Sequence, residues 1–320
     1  MKALVFTGPS RVEVQDVDEP VAGEDEVVVD VRAVGICGSE LHGVRRPGFR
    51  VPPLVMGHEF AGTTSDGVDV IVNPILSCGT CDLCALGLTQ VCSQRRIIGI
   101  HRPGAFAERV AVPRAALHRR PDGVSWKAAA VVEPAATAVH AWGLGSAGPG
   151  ARVGIIGAGT IGLACLIVAL GRGAGSVEIA DRSAIRLAAA ERLGAARTGD
   201  ELTGTYDVVF DAVGSAATHR QSLARVRSAG TAVWLGLAED ASDFDSLDLI
   251  RAEKRVVGSF AYTDEEFAAT TQLVRDWDLD WTATFPLADG AEIFTALMNG
   301  GMEPIKALLL PGPREAEAAR

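Results

Sequence analysis

Val153-Gly154-Ile155-Ile156-Gly157-Ala158-Gly159-Thr160-Ile161-Gly162 is the stretch whose reading decides the fold. Its apolar start reads as a buried strand. A Gly-x-Gly-x-x-Gly run then leads into an apolar helix pattern from Thr160. Alone, such a run is weak, because Gly-rich turns are common. Here a strand precedes it, a helix follows it, and Asp181 closes the next strand 19 residues after Gly162. That context predicts a dinucleotide-binding unit of the doubly wound α/β type. Gly157 permits the tight turn, Gly159 lets the backbone approach a pyrophosphate, and Gly162 allows close packing of helix on sheet. The pyrophosphate then faces the positive end of a helix. Asp181 would accept hydrogen bonds from the adenosine ribose hydroxyls of NAD, whereas the competing reading is a plain crossover with an exposed Asp.

Toward the C-terminus strand and helix patterns alternate: Ser176–Asp181, a helix from Ser183, Tyr206–Asp211, a helix near Ala216, Thr231–Gly236 and Arg255–Phe260. Alternation of this kind predicts a parallel sheet with right-handed crossovers. Helices near Asp264–Asp276 and Asp289–Asn299 and a strand Ile305–Leu310 follow, and the charged, Ala-rich tail from Pro311 reads as frayed. Toward the N-terminus, Gly148-Pro149-Gly150 reads as a domain boundary. Residues 1–33 alternate apolar and polar, and Asp66-Gly67 suits a type I′ hairpin between two strands. No useful helical periodicity precedes Ser125, which caps Trp126–Val132 ahead of Glu133-Pro134 and a helix over Ala135–Leu144. The expected architecture is therefore α/β: a β-rich, barrel-like domain of residues 1–147 and 262–320, and a dinucleotide domain of residues 148–261.

The β-rich part carries two sets of metal-ligand residues. Cys37 and His58-Glu59 offer a thiolate, an imidazole and a carboxylate, the ligand types zinc prefers. Cys37 and His58 lie 21 residues apart on different elements, so only a fold can bring them together. That spacing fits a catalytic centre; the alternative is a buried Cys and an unrelated surface His. Cys78, Cys81, Cys84 and Cys92 form C-x2-C-x2-C-x7-C, in the lobe 78–92. Four thiolates complete a tetrahedral zinc and leave no place for water, which predicts a structural site. An iron–sulfur cluster is the main competitor and a disulfide pair the bland one. Cys165, in an apolar helix, reads as core.

The 320 residues carry a formal net charge of −10 and are 48% hydrophobic, which argues against nucleic acid or anionic membrane as partners. The N-terminus shows no signal-peptide pattern, and the apolar run 161–170 is too short to span a bilayer. Six cysteines, four of them clustered, fit metal binding in a reducing cytoplasm better than a disulfide framework.

With Cys37, His58-Glu59, the four-cysteine lobe and the glycine run in this order, the chain resembles the zinc-dependent medium-chain dehydrogenase/reductase family, in its polyol (sorbitol-like) and threonine dehydrogenase branch. The resemblance spans nearly the whole chain. It implies a GroES-like catalytic domain, a Rossmann coenzyme domain and two zinc ions per chain. It gives the catalytic zinc to Cys37, His58 and Glu59, and places Glu133 near it. Ser39 matches the hydroxyl that takes the substrate proton, and His42 the histidine that passes it on. Ile161, Arg186 and Leu235-Gly236-Leu237 are carried to the cofactor, and a homodimer or homotetramer is expected. Two departures stand out. The segment between Glu59 and Cys78 is short, with Gly67-Val68-Asp69-Val70 where Gly-Asp-Arg-Val is usual, and Glu40 replaces the usual Asp.

These residues suit alcohol oxidation, which needs a Lewis acid, a proton acceptor and a hydride acceptor. Glu59 and Glu133 cannot both ligate permanently if substrate is to bind, so the two carboxylates are expected to exchange. The leading expectation is NAD-linked interconversion of a secondary alcohol on a polyol, sugar-like or cyclitol substrate and its ketone. A threonine-type 3-dehydrogenase is the alternative enzyme, with Arg45, Arg46 and Arg50 as possible cations for an anionic substrate. A non-catalytic dinucleotide-binding protein is the third reading, and it would need none of Cys37, Ser39, His42, His58 and Glu59.

Overall fold

The computed structural model describes residues 1–312 other than 47, 49, 301 and 303, so nearly all of the tail read as frayed lies outside the described residues. Two compact units emerge: Met1–Glu133 with the chain from Thr263, and Pro134–Tyr262. The division falls earlier than Gly148-Pro149-Gly150, inside the first turn of the helix Val132–Gly145. The later turns of that helix pack on the second unit's sheet. Trp142 stacks on Phe210 with centroids 6.2 Å apart, and a Cβ on Gly145 would lie 2.9 Å from Val208. Pro134 does not delay the helix, because a first-turn proline has no intrahelical hydrogen bond to lose.

The second unit is built on a six-stranded sheet. From edge to edge its strands are Arg197–Gly199, Ser176–Ala180, Arg152–Ile156, Tyr206–Asp211, Val226–Trp234 and Arg255–Gly258, and every pairing is parallel. In chain order that is 3-2-1-4-5-6, with the direction of winding reversing between Arg152–Ile156 and Tyr206–Asp211. Ligands bind at such a reversal, outside the carboxyl ends of the strands. Val153, Ile155 and Ile156 are buried, as are Leu163, Ala164, Leu166 and Val168 of the helix Thr160–Gly171, each large aliphatic side chain contributing about 1.5–3 kcal/mol. The sequence reading missed the short edge strand Arg197–Gly199 and the helix Ser246–Arg251, whose apolar Leu247 and Ile250 face solvent.

In the first unit the strand Glu26–Gly35 pairs with Glu59–Thr64 and Arg109–Pro113, and also receives Lys306–Leu310 from the far end of the chain. A core of Val29, Val31, Phe60, Met56, Phe106 and Phe294 fills the space between its sheets. Thr282–Pro286, unread in the sequence, pairs parallel with Lys306–Leu310. The Asp66-Gly67 turn is not type I′. Only Gly67 has positive φ (+83), and Gly67 N donates to Thr64 O, so a type I turn ends in a left-handed glycine. Helices do precede Ser125: Gly38–Gly43 and Asp82–Ala85 are too short to show a period. Ser125 caps as expected, accepting from Ala128 N at 3.1 Å.

Candidate metal and cofactor sites

Strand register brings the distant ligands together. Gly35 pairs with Glu59, so the turn leaving one strand at Cys37 lies beside His58, which enters the other. One donor atom from each of Cys37, His58 and Glu59 falls within 4.8 Å of the others. Cys37 is the extended N-cap of the helix Gly38–Gly43, and Ser39 Oγ donates to its Sγ at 3.3 Å.

Around these three lies a shell of buried charge. Glu40 is fully buried and accepts from Cys37 N at 3.0 Å and Gly57 N at 2.8 Å, with His58 Nδ1 also 3.0 Å away. With Nδ1–H donated to Glu40, the lone pair of Nε2 is left for a metal. Burial works to raise the Glu40 carboxyl, but the His58 charge and hydrogen bond outweigh it and hold it below its ordinary value. Burial likewise works to lower His58, and Glu40 with Cys37 holds it well above 6.5 while no metal is bound. Glu59 pairs with Lys306 Nζ, which also donates to Ile36 O at 3.0 Å. Both partners are about 1% exposed, so removing one would leave a lone buried charge at a cost of about 3–5 kcal/mol. Gly35 makes room for this pair, since a Cβ there would collide with Glu59 and sit 2.7 Å from Lys306 Cε.

Arg50, read as a cation for an anionic substrate, is 2% exposed and donates to Ser39 O at 2.9 Å. It fixes the backbone beside Cys37 and is no cleft-mouth charge. Arg45 donates to Met298 O at 2.5 Å. His42 is exposed, and partial burial followed by the charges of Arg45 and Arg46 holds its imidazole below 6.5. Glu133 sits in the first turn of its helix and is not part of the 4.8 Å donor cluster. Sequence reading missed Lys306 as a site residue. The signal was a lysine inside the apolar strand Ile305–Leu310. Glu40 was noted only as a departure from Asp.

Cys78, Cys81, Cys84 and Cys92 form the second cluster within 4.8 Å. Sγ separations are 3.5 Å for Cys81–Cys84 and Cys78–Cys92, 3.8 Å for Cys81–Cys92 and 3.9 Å for Cys78–Cys84. Tetrahedral zinc with ~2.3 Å bonds to sulfur spaces its thiolates about 3.8 Å apart, so the lobe fits that ion. The Cys37 cluster fits as well, having the mixed sulfur, nitrogen and oxygen donors of a site that keeps an open position.

The glycine run is built as its sequence implies. Gly157 has φ +94, and a Cβ at Gly162 would collide with its carbonyl. Over Gly159, the N-cap of the helix Thr160–Gly171, an added Cβ meets nothing within 4 Å, leaving room for a phosphate. Asp181 has a further task. Its Oδ2 accepts from Ala158 N at 2.7 Å and its Oδ1 from Ser183 N at 2.8 Å, tying the glycine turn to the next helix. A carboxylate has about four lone-pair sites, so capacity for a ribose remains. Arg186 Nη1 lies 3.6 Å from Asp181 Oδ2. Ile161 is in the first turn of the same helix. Leu235 N and Gly236 N both donate to Asp211 O, at 2.9 and 3.0 Å, while Asp211 Oδ1 accepts from Val213 N and Gly214 N. Asp211, unread in the sequence, thus holds two crevice loops, and Leu237 beside them is 67% exposed.

Comparison with known proteins agrees with this geometry. Profiles for an alcohol dehydrogenase GroES-like domain and for a zinc-binding dehydrogenase match residues 23–122 and 160–276. The chain is 30% identical to L-galactonate-5-dehydrogenase of Escherichia coli (strain K12), over 97% of this chain and 98% of that protein. It is also 30% identical to the sorbitol dehydrogenase of Halalkalibacterium halodurans, over 97% and 99%. Among solved structures, a zinc-binding dehydrogenase from Sinorhizobium meliloti 1021 bound to NADP superposes with a TM-score of 0.89 at 29% identity, covering 97% of this chain and 99% of that one. The chain belongs to the zinc-dependent medium-chain dehydrogenase/reductase family.

Proposed function

We propose that the protein interconverts a secondary alcohol of a polyol or sugar-acid substrate and its ketone, with NAD as redox partner. The observation that carries this reading is the donor cluster of Cys37, His58 and Glu59 within 4.8 Å, with the Ser39 hydroxyl at its edge. Bound zinc would supply a Lewis acid that makes the alcohol more acidic, and bound NAD a hydride acceptor. Cys37, His58 and Glu59 hold the metal, Glu40 and Lys306 orient two of those ligands, and Ser39 Oγ takes the substrate proton. His42 then carries the proton to solvent, and its lowered pKa keeps it a free base at neutral pH. Glu133 enters as an exchanging carboxylate that takes over from Glu59, with Lys306 retaining Glu59 when it is off the metal. Relatives acting on L-galactonate and sorbitol favour a hydroxylated chain over threonine as substrate.

Asp181 favours NAD, because a 2′-phosphate would put a second negative group against it. The preference is expected to be of order 10²-fold in kcat/KM, from roughly 3 kcal/mol of lost and repulsive contacts. The NADP in the Sinorhizobium meliloti relative makes this a point to measure. Arg182 and Arg186 stand ready to accept that phosphate once Asp181 is Ser. A homo-oligomer is part of this reading, and the sheet offers two edge strands for it, Arg197–Gly199 and Arg255–Gly258, each with a partner on one side only among the described strands. No helix among the described residues is long and apolar enough to cross a membrane, and none of the six cysteines is paired in a disulfide, in keeping with a reducing cytoplasm.

The test follows NADH absorbance with sorbitol, galactitol, sugar acids such as L-galactonate, and threonine, each with NAD and with NADP. Turnover of a polyol or sugar acid with NAD is expected. Turnover of threonine alone would select the amino-acid reading. No turnover of any of them by zinc-loaded protein that binds NADH would favour a non-catalytic role.

A further inference from the structure

The dinucleotide crevice lies at the carboxyl ends of the parallel strands, where Gly157, Asp181 and Leu235 follow their strands. A separate cleft of about 320 Å³ opens at the amino ends of the same sheet. Its wall is the loop 145–151. Its floor is formed where Tyr206–Asp211, Val226–Trp234 and Arg255–Gly258 begin, at Asp207, Arg227, Ala229 and Arg255.

This cleft is rich in donors and poor in acceptors. Asp207 is the one acid that lines it, and both carboxylate oxygens are taken. Oδ2 accepts from Arg152 N at 2.8 Å, with Arg152 Nε 3.5 Å away, and Oδ1 accepts from Arg227 Nε at 2.5 Å. Arg227 Nη1 donates to Ser228 O at 2.8 Å. That leaves Arg227 Nη2 and the whole Arg255 guanidinium without a partner among the described residues. The loop adds neutral donors: Ser146 Oγ and the N–H groups of Ala147 and Gly148 also meet no acceptor among the described residues. Ser146 at φ +51 and Gly150 at φ +81 shape this loop. With Arg227 and Arg255 lining it against Asp207, whose carboxylate Arg152 also pairs, the cleft carries a surplus of positive charge in a chain whose net charge is −10.

We propose that this cleft binds a small phosphate-bearing anion. Arg227 and Arg255 form its cationic floor, Asp207 holds Arg227 in place, and Ser146–Gly148 supply neutral donors. Guanidinium groups pair with phosphate oxygens through two parallel hydrogen bonds, and several acceptor oxygens on one centre match several converging donors. A dianion would also compensate the Arg255 guanidinium, which no carboxylate among the described residues pairs. The ligand class covers free phosphate or pyrophosphate and the phosphate group of a metabolite. The inference is independent of the dehydrogenase reading, because it concerns the opposite end of the sheet.

The experiment titrates inorganic phosphate and pyrophosphate into the metal-loaded protein by calorimetry, with and without saturating NADH to fill the crevice. One pyrophosphate per chain is expected to bind in the presence of NADH. Arg255→Gln should weaken it by about tenfold, the scale of one charge-assisted contact. Arg227→Gln combined with Arg255→Gln should remove binding from the measurable range, and Arg255→Lys should restore part of it. Arg11→Gln, which deletes an exposed charge on the other unit, should change nothing. Circular dichroism and NADH affinity establish that each variant is folded. Competition by NADH would place the anion in the crevice and overturn the inference. So would equal pyrophosphate affinity in wild type and the folded double variant, or no binding at all. A ten-fold preference for NADH-free protein with unchanged arginine variants counts against it in the same way.

Discussion

The two cysteine-bearing clusters differ in how their surroundings are made. The lobe draws all four ligands from residues 78–92, and three of its thiols are only half-buried. Its thiols influence one another: the Thr80 amide and hydroxyl lower Cys78 to about 6, whereas at Cys81 the Cys84 amide pulls down but burial and the neighbouring thiols together outweigh it and raise the thiol to about 11. The other cluster draws its donors from the ends of two paired strands, and buried Glu40, Arg50 and Lys306 surround them. A closed tetrahedron of identical ligands needs little help beyond a tight loop. An open site of three unlike ligands must be held by its neighbours. On the proposed function, the first would contribute stability and the second chemistry.

The sharpest way to break that contrast is to remove one ligand from each. Cys37→Ser should lower kcat/KM by about 10³-fold or more, with one zinc retained and the melting temperature little changed. Cys92→Ser should instead lower the melting temperature and free the lobe's zinc, with the folded fraction keeping most of its turnover. Activity losses in the reverse order would exchange the two roles.

Next in size is Glu133→Ala. If Glu133 exchanges with Glu59, turnover should fall by about 10²-fold while both metals stay bound. Glu59→Ala should weaken metal retention as well, and would leave Lys306 buried without its carboxylate. Wild-type turnover in Glu133→Ala would reduce that residue to a helix-end carboxylate.

A smaller effect belongs to Glu40→Gln, which should weaken zinc at the Cys37 cluster by about 10- to 100-fold and leave the lobe's zinc alone. The pH dependence follows from His58. Its pKa in the metal-free fold lies above 6.5, so metal must displace a proton at neutral pH. Zinc affinity at this cluster should therefore rise with pH from 6.5 upward, levelling off once His58 is free of its proton. Removing the Glu40 charge lowers the His58 pKa and should move that rise to lower pH. A rise unmoved by Glu40→Gln would mean that His58 is not held by Glu40.

Much of this was legible in the sequence because it is local. The strand Arg152–Ile156, the turn at Gly157 and the four-cysteine spacing each fall within a few residues, and the structure has them where they were read. Cys37 and His58 could be named as candidate ligands, but their meeting depends on the Gly35–Glu59 register, which no local pattern encodes. Lys306 was beyond reach for the same reason: its partner Glu59 is 247 residues away, and only the late strand pairing with Glu26–Gly35 joins them. The domain division was read too late because Gly148-Pro149-Gly150 marks where the chain turns. What decides the boundary is where Trp142 and Gly145 pack. The helix Gly38–Gly43 escaped because six residues are too few to show a helical period.

The most direct measurement is zinc content followed against activity during graded chelation. Purified active protein should contain two zinc ions per chain. A mild chelator should remove the zinc of Cys37, His58 and Glu59 first, because that site keeps an open position, and activity should fall in step with it. The lobe's zinc should remain until activity is gone, and added zinc should restore turnover. Fully active protein with a single zinc per chain would contradict the account. So would activity that survives removal of the first ion and disappears only with the second.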